Sequence, residues 1–158
     1  MSETRWFFRD PDAPEPNRPR ALSVYALIER DDALLLERRA DAPVWSLIAG
    51  RVEDDESLSD ALRREVREET SLIVVRYDLF ATFTDPSRIV SYPDGNVYSV
   101  ATFAYNVEVE DFAPLSRSDE SEELRFFSRN ELLNVEVPVT QRIAIEMYLA
   151  QRGLPYLE

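Results

Sequence analysis

The stretch that decides the fold runs from Gly50 to Leu72 and reads GRVEDDESLSDALRREVREETSL. More than half of it is charged, yet from Leu58 onward apolar residues recur at the i, i+3, i+4 spacing of one helix face. Ser57 is a good N-cap, and Asp60, three residues later, resembles the acidic half of a capping box. The sequence therefore predicts an amphipathic helix from about Leu58 to Thr70.

Glutamates occupy helix positions that the repeat itself assigns to apolar side chains. Val66 follows the repeat, but Glu65 and Glu69 share the apolar arc, and Glu68 lies at its edge. Carboxylates therefore converge at one end of the face that should meet the core. Like charges one turn apart repel by roughly 0.2–0.5 kcal/mol, and desolvation costs several kcal/mol per ion.

Three arrangements would relieve this repulsion. The helix end leaves the core and is solvated, arginine pairs with the acids, or divalent cations bind them. Arg64 stands four residues before Glu68 and is placed for pairing, whereas Arg63 and Arg67 point to the far side. Helix geometry alone leaves all three arrangements open.

Composition narrows the possible chemistry. The 158 residues suffice for one compact domain and include no Cys, His or Lys. This excludes thiolate sites, His-based zinc sites, Ser-His triads and P-loop lysines. Carboxylate, Arg, Tyr, Ser and Thr remain, together with any metal that carboxylates can hold. Oxygen ligands favour hard cations such as Mg²⁺ or Mn²⁺.

The formal net charge of −13 argues against binding of polymeric nucleic acid, which needs a basic surface. An acidic surface mainly keeps a protein soluble, although an anionic substrate can bind through a divalent cation. Because no run of about 18 apolar residues exists, we expect no membrane span. The N-terminus lacks the basic start and apolar run of a signal peptide, so we expect a cytoplasmic protein.

The chain divides into an arm and a main domain. Residues 1–20 contain the proline-rich segment DPDAPEPNRPR and are predicted to be an extended N-terminal arm. The aromatic residues of this arm, Trp6, Phe7 and Phe8, are expected to pack onto the body or onto a second subunit. Residues 21–158 are predicted to form the domain itself.

The order of elements predicts a mixed sheet between helices. A hairpin, ALSVYALI and ALLLERR around RDD, comes first, and the apolar run VWSLIAG precedes the helix. Further strands follow in LIVVRYDLFATF, RIVSY, NVYSVATFAYNVEV and ELRFF, with a turn at Asp94-Gly95. Ser128 is expected to cap a short helix, and a last helix is predicted from Pro138 to Arg152 with Gly153 after its end.

The opening stretch resembles the signature of the Nudix hydrolase family. That signature has Gly, five residues, Glu, seven residues, Arg-Glu, an apolar residue, any residue and Glu-Glu. Here the matching positions are Gly50, Glu56, Arg64, Glu65, Val66, Glu68 and Glu69, with apolar Leu72 behind them. The resemblance covers about residues 21–150, including DESEELRFFSRNEL, and implies an α/β/α sandwich. Ser71 stands where the family has Gly, and LIAG at 47–50 replaces a Pro-Gly-Gly ending.

The resemblance also implies a reaction. Family members hydrolyse a nucleoside diphosphate linked to another moiety, by attack of water on the diphosphate, with Mg²⁺ or Mn²⁺ as cofactor. It assigns metal binding to the Gly50 carbonyl and to Glu65, Glu68 and Glu69. Arg64 and Glu56 would orient the loop and the helix.

The water-activating base is left between two regions. It belongs either to the signature, at Glu68 or Glu69, or to the later segment RSDESEELRFF. Candidates in that segment are Glu120, Glu122 and Glu123, for which a solvated acidic loop is the plain alternative.

Substrate contacts are assigned to basic and aromatic side chains near the predicted cleft. Arg38 and Arg51, with Arg39, are candidates for phosphate, and Tyr92, with Trp45 and Tyr98, is a candidate for stacking on a base. The plain alternative is surface exposure for the arginines and packing in the core or a hairpin for the aromatic residues. The turn-rich segment 83–96 is expected to shape substrate entry or a dimer contact.

Three functions compete at this stage. The first is a metal-dependent pyrophosphohydrolase, and the second is a catalytically silent nucleotide-binding or sensing module. The third is a structural dimer whose acidic helix is only a solvated face. The complete set of signature carboxylates favours the first, and the aromatic arm makes a homodimer the expected assembly.

Overall fold

The longest strand, Val97–Val109, organises the sheet of the computed structural model, which describes residues 3–151 and 155–158. The strands are β1 Arg5–Phe7, β2 Ala21–Arg30, β3 Ala33–Arg39, β4 Trp45–Arg51, β5 Val74–Phe83, β6 Ile89–Ser91, β7 Val97–Val109, β8 Ser121–Ser128 and β9 Tyr156–Leu157. The helices are α1 Leu58–Thr70, α2 Arg129–Leu132 and α3 Val139–Leu149.

The sheet is mixed because β7 has neighbours of both orientations. It pairs in parallel with β2 and antiparallel with β5, and its first residues pair antiparallel with β6. On the other side of β2, the strand β4 lies between β2 and β3, and β8 extends the sheet beyond β3. The predicted fold class is therefore confirmed.

Helices cover both faces of the sheet. One apolar core contains Ala61, Leu62 and Val66 of α1. The other contains Leu132 of α2 together with the buried face of α3. The sheet therefore separates α1 from α2 and α3, as the predicted α/β/α sandwich requires.

Both faces of strand β2 are buried, which explains why its sequence does not alternate between apolar and polar residues. Tyr25 and Leu27 enter the core under α3, whereas Val24, Ala26 and Ile28 enter the core under α1. A strand that is buried on both faces reads as a continuous apolar run.

The predicted hairpin turn forms between β2 and β3. Asp31 and Asp32 both adopt left-handed backbone conformations, with φ of 51° and 62°. Aspartate tolerates this region better than most residues because its short polar side chain bonds locally. Gly95, with φ of 85°, serves the same purpose in the turn between β6 and β7.

The last helix is shorter than predicted. Pro138 is its N-cap residue, as the sequence predicts. The helix α3 ends at Leu149, with Ala150 as its C-cap, and Gln151 then has a left-handed φ of 52°. The predicted ending at Arg152 and Gly153 lies outside the described residues. None of the helices within those residues is long and apolar enough to cross a lipid bilayer.

The N-terminal arm is docked on the body. Strand β1 pairs antiparallel with β6, and Asn17 exchanges hydrogen bonds with the backbone of Val97. The buried Thr4 hydroxyl donates to the Asp41 carboxylate. These contacts hold the arm beside the turn that precedes β7.

Candidate active site

Strand β4 and helix α1 meet at a glycine. A Cβ built on Gly50 would stand 1.9 Å from the carboxyl carbon of Glu65. No side chain tolerates such a distance, so any residue other than glycine at position 50 would displace the carboxyl group at the end of the Glu65 side chain. The Glu65 carboxyl group thereby lies against Gly50, whose carbonyl the family resemblance assigns to a metal.

Arg64 ties the acidic loop to the helix. Its guanidinium donates through Nε and Nη2 to the two carboxylate oxygens of Glu56, at 2.5 and 2.9 Å, and through Nη2 to the Arg51 carbonyl, at 3.0 Å. Its Nη1 donates to Glu65 at 2.6 Å and lies 3.3 Å from Glu68. The bond to Arg64 lowers the pKa of Glu56 to about 2. Pairing by arginine, one of the three arrangements left open by the sequence, is therefore present.

A second group of polar side chains surrounds Glu69. The Ser118 hydroxyl donates to Glu69 Oε2 at 2.6 Å, and Ser121 Oγ lies 3.4 Å from the same oxygen. Ser121 also donates to Glu37 at 2.5 Å. Glu37 and Glu69 are both buried, so two carboxyl groups share one small polar enclosure.

Burial shifts the ionisation of two of these acids. Desolvation raises the pKa of Glu65 to about 7, although Arg64 opposes the shift. It also raises the pKa of Glu37 to about 7, with the neighbouring Glu69 adding to the effect and Ser121 and Arg39 opposing it. Both groups are therefore carboxyls that a nearby positive charge would favour in the ionised form.

The donor set of the site consists of oxygen atoms. Glu65 and Glu69 are buried, whereas the Glu68 side chain is 57% exposed and reaches solvent. Within residues 3–151 and 155–158, no three acidic side chains already close around a common point. All-oxygen donors suit Mg²⁺ or Mn²⁺, and the desolvated carboxyls beside the Gly50 backbone fit a hard cation in chemical type.

A cleft of about 240 Å³ lies beside this helix face. Its walls include Gly50 and Glu65 together with Arg51, Tyr92 and Glu120. The Arg51 guanidinium carbon lies 4.6 Å from the ring centroid of Tyr98 and 5.8 Å from that of Tyr92. In the described part of the chain it forms no ion pair, so its charge is available to an anion.

Several of the predicted site residues therefore meet in this cleft. Arg51, Tyr92 and Glu120 line it, as do Arg39 and Tyr98. Arg39 is already held by Asp41, through two bonds of 2.6 Å.

The structure places other predicted residues elsewhere. Arg38 pairs with Glu122 at 3.2 Å and lines a different surface hollow. Trp45 packs edge-on against Phe127 in the core under α3. Glu123 is exposed and lies opposite Arg38, on the sheet face turned away from α1.

A bulge explains why Ser121 rather than Glu123 faces the helix. The register between β3 and β8 shifts between Arg38 and Arg39, which pair with Glu123 and Ser121. The extra residue, Glu122, reverses the alternation at this point. Side-chain direction at a bulge depends on the pairing of two distant strands.

Sequence reasoning missed Glu37, Ser118 and Ser121. Glu37 directly follows the buried run Leu34–Leu36 and shares its face with Leu35, because side chains two residues apart point the same way. An acidic residue at a position that continues the buried face of a strand is a sequence signal that could have identified Glu37. The serines carry no such signal, because their role depends on the fold.

A family model described as NUDIX domain matches residues 18–147. The chain belongs to the Nudix family. The signature glycine position of that family, occupied here by Ser71, is the C-cap of α1 and has a left-handed φ of 62°. Ser71 keeps the backbone bond to the Arg67 carbonyl at 2.9 Å, so the helix ends normally without glycine.

Curated relatives match parts of the chain. The ADP-ribose pyrophosphatase of Methanocaldococcus jannaschii is 32% identical over 115 residues, which cover 71% of this chain and 64% of that protein. The nucleoside triphosphatase NudI of Salmonella typhimurium is 40% identical over 78 residues, or 46% of this chain and 55% of that protein. The chain therefore spans less than two thirds of the length of either relative.

A solved structure shares the fold of this chain. The E. coli ORF135 protein superimposes with a TM-score of 0.67 and 26% identity, over 89% of this chain and 96% of that one.

Proposed function

We propose that this chain hydrolyses the diphosphate bridge of a nucleoside diphosphate linked to another moiety, with Mg²⁺ or Mn²⁺ as cofactor. The observation that carries the proposal is the contact of the Glu65 carboxyl group with Gly50 at the wall of an Arg51-lined cleft. Family membership and the pyrophosphatase and triphosphatase names of the relatives support the same reaction class.

The metal would be held by Glu65, Glu68 and Glu69 with the Gly50 carbonyl. When bound, a divalent cation neutralises diphosphate charge and polarises the phosphorus–oxygen bonds. The protein's part is to keep these ligands in place. Arg64 fixes the start of the acidic face by bonding Glu56 and Glu65, and Ser118 fixes its end by bonding Glu69.

The substrate would be oriented by Arg51, which holds phosphate oxygens, and by Tyr92, whose ring lies beside that guanidinium. Among the later acidic candidates, Glu120 lines the cleft and is the one we assign as the group that takes the proton of the attacking water. Its segment is held by a bond of 3.0 Å from the Ala40 amide to the Glu120 carbonyl. Arg38 and Glu123 are left out of the site.

A coupled phosphatase assay over nucleotide sugars, dinucleotides and nucleoside triphosphates tests the proposal. We expect phosphate release only with Mg²⁺ or Mn²⁺ present, and Glu69→Gln should lower turnover by at least about 100-fold while circular dichroism stays unchanged. Full activity in that variant contradicts the assignment. Tight nucleotide binding without any hydrolysis would instead support a nucleotide-binding module.

A cytoplasmic location and a homodimer stay predictions. Light scattering coupled to size-exclusion chromatography measures the assembly directly. A mass of one chain, 18.3 kDa, would exclude the homodimer.

A further inference from the structure

The two ends of the acidic face of α1 are compensated in different ways. At the start of that face, the Arg64 guanidinium bonds Glu56 and Glu65. At its end, the hydrogen-bonding neighbours of the Glu69 carboxylate are serine hydroxyls. The part of the chain that the structure describes therefore gives Glu69 neutral partners but no counter-ion.

Glu37 brings a second carboxyl group to the enclosure around Glu69. Glu37 is 3% exposed and Glu69 is 6% exposed. The Ser121 hydroxyl oxygen lies between them, 2.5 Å from Glu37 Oε2 and 3.4 Å from Glu69 Oε2. A hydroxyl has a single proton, and the shorter distance assigns it to the bond with Glu37. The two carboxyl groups are therefore buried neighbours of like charge.

One arginine approaches Glu37, but it is bonded to another acid. Arg39 Nη1 lies 3.8 Å from Glu37 Oε1, whereas Arg39 Nε and Nη2 bond Asp41 at 2.6 Å. A distance of 3.8 Å is too long for a hydrogen bond. Arg39 therefore offsets only part of the repulsion between Glu37 and Glu69.

Two carboxylates that are buried side by side destabilise a fold, because desolvation and repulsion act together. An apolar residue at position 37 would avoid this effect, as Leu35 on the same face of β3 does in the core under α1. A cation beside Glu69 would convert the effect into attraction. Since the Coulomb energy falls only with the first power of distance, a carboxylate attracts an ion that it does not touch, most strongly where water is excluded.

We propose that Glu37 strengthens the binding of a divalent cation at the acidic site through its charge and not as a ligand. The inference rests on the proposed function, because it takes Glu69 as a metal ligand. Both oxygens of Glu37 are already engaged, one by Ser121 and the other by Arg39. Glu37 is thus a positioning residue that acts through Glu69: it lowers the stability of the metal-free protein and raises its affinity for the ion.

Titration with Mn²⁺, followed by electron paramagnetic resonance of the free ion, measures this affinity without turnover. The titration is made at pH 8, above the pKa of about 7 to which burial raises Glu37. Glu37→Gln should weaken Mn²⁺ binding at least about tenfold, because one attracting charge is lost. Glu37→Asp keeps the charge and should stay within about threefold of the parent.

Thermal melts of the same proteins separate this role from a structural one. Without metal, Glu37→Gln should melt about 2–4 °C above the parent, because the repulsion of Glu69 is removed. At saturating Mn²⁺ the difference should vanish or reverse, because tighter binding stabilises the parent more. If Glu37 only supported the fold through its bond to Ser121, the variant would melt below the parent with and without metal.

The matched control is Glu123→Gln, which removes an acidic charge from β8 on the sheet face turned away from α1. It should change Mn²⁺ affinity less than about twofold, because solvent screens an exposed charge. Equal weakening in Glu123→Gln and Glu37→Gln would assign the effect to net charge and overturn the inference. Unchanged affinity of Glu37→Gln, or a lower melting temperature without metal, would overturn it and leave the proposed function standing. A parent protein that binds no Mn²⁺ would overturn both.

Discussion

The Glu65 carboxyl carbon lies 1.9 Å from the point where a Cβ on Gly50 would stand. The absence of a side chain at position 50 therefore leaves the space that the Glu65 carboxyl group occupies. A side chain at position 50 could be accommodated only if the Glu65 carboxyl group moved. The residue type at position 50 therefore determines where this carboxyl group can lie.

Gly50→Ala should therefore displace Glu65 and lower kcat at least about tenfold, because small displacements of positioned groups have large effects on rate. Steady-state kinetics at saturating metal measure the change. Gly95→Ala is the control for loss of a glycine, since a Cβ there meets nothing within 4 Å and only its φ of 85° is strained. Equal rates in Gly50→Ala and the parent would show that the contact is not needed.

Arg64→Gln should destabilise the protein and reduce activity. The variant leaves Glu56 and Glu65 without their shared cation, and we expect the free energy of unfolding to fall by about 2–3 kcal/mol. Arg64→Lys keeps the charge but loses the fork that bonds both oxygens of Glu56, so it should recover less than half of the loss.

Urea denaturation followed by fluorescence measures both Arg64 variants. Arg67→Gln, at an exposed position on the same helix, serves as the control and should lie within about 0.5 kcal/mol of the parent. If Arg64→Lys matched the parent in stability and rate, the geometry of the fork would be irrelevant.

Glu120→Gln and Glu123→Gln distinguish the two candidate bases. Because Glu120 lines the cleft and Glu123 lies on the opposite sheet face, we expect kcat to fall about 100-fold in the first and less than twofold in the second. Initial rates across pH 6–9 test this. The reverse pattern would return the proton acceptor to Glu123.

Ser71→Gly should stabilise the protein by about 0.5–1 kcal/mol, because glycine adopts the left-handed C-cap of α1 without steric cost. The gain is reduced by the loss of the 2.8 Å contact between the hydroxyls of Ser71 and Ser116. Ser71→Ala loses that contact and keeps the strain, so it should be less stable than the parent. Thermal melts rank the three proteins, and activity should be unchanged in all of them.

Glu158→Gln should make the free energy of unfolding depend less on pH in the acidic range. Burial opposes ionisation of Glu158, but the Arg88 guanidinium and the Asp85 amide outweigh it, so its pKa lies below the usual value. A carboxyl with a depressed folded-state pKa stabilises the fold above its unfolded pKa and loses that effect as pH falls through the folded one.

At pH 7 the Glu158→Gln variant should lose about 3–5 kcal/mol, because Arg88 is left buried without a counter-ion. The difference from the parent should shrink as pH drops below about 4, where Glu158 of the parent is itself protonated. Chemical denaturation at pH 3 and pH 7 measures both limits. Glu108→Gln, at an exposed site, controls for loss of a surface charge, and a pH-independent difference at Glu158 would contradict this account.

Local features of the site were predictable from sequence. Helix α1 has the predicted bounds because its signals, the Ser57 and Asp60 capping box and the 3.6-residue repeat, lie within one segment. The expected orienting roles of Glu56 and Arg64 agree with the bond between them, which lies within the same segment. The α/β/α sandwich was predicted from the residues that match the family signature.

Features that join distant segments were not predictable. The burial of Glu37 beside Glu69 depends on which strand crosses the end of α1, and the direction of Glu123 depends on a bulge between β3 and β8. Neither strand order nor register follows from the periodicity of a single segment. The early end of α3 depends likewise on Ala150 and Gln151, whose residue types do not disfavour a helix strongly.

The Arg88 guanidinium lies 4.3 Å from the ring centroid of Phe8 and bonds Glu158, so two residues that are far apart in the sequence meet around it. Contacts of such long sequence separation form slowly, because the intervening chain must first be ordered. During synthesis these contacts cannot form until Glu158 has left the ribosome. We therefore expect protection of the Asp85 amide, which donates to Glu158, to appear later in refolding than the fluorescence change of the core, which pulsed hydrogen exchange and stopped-flow mixing would resolve.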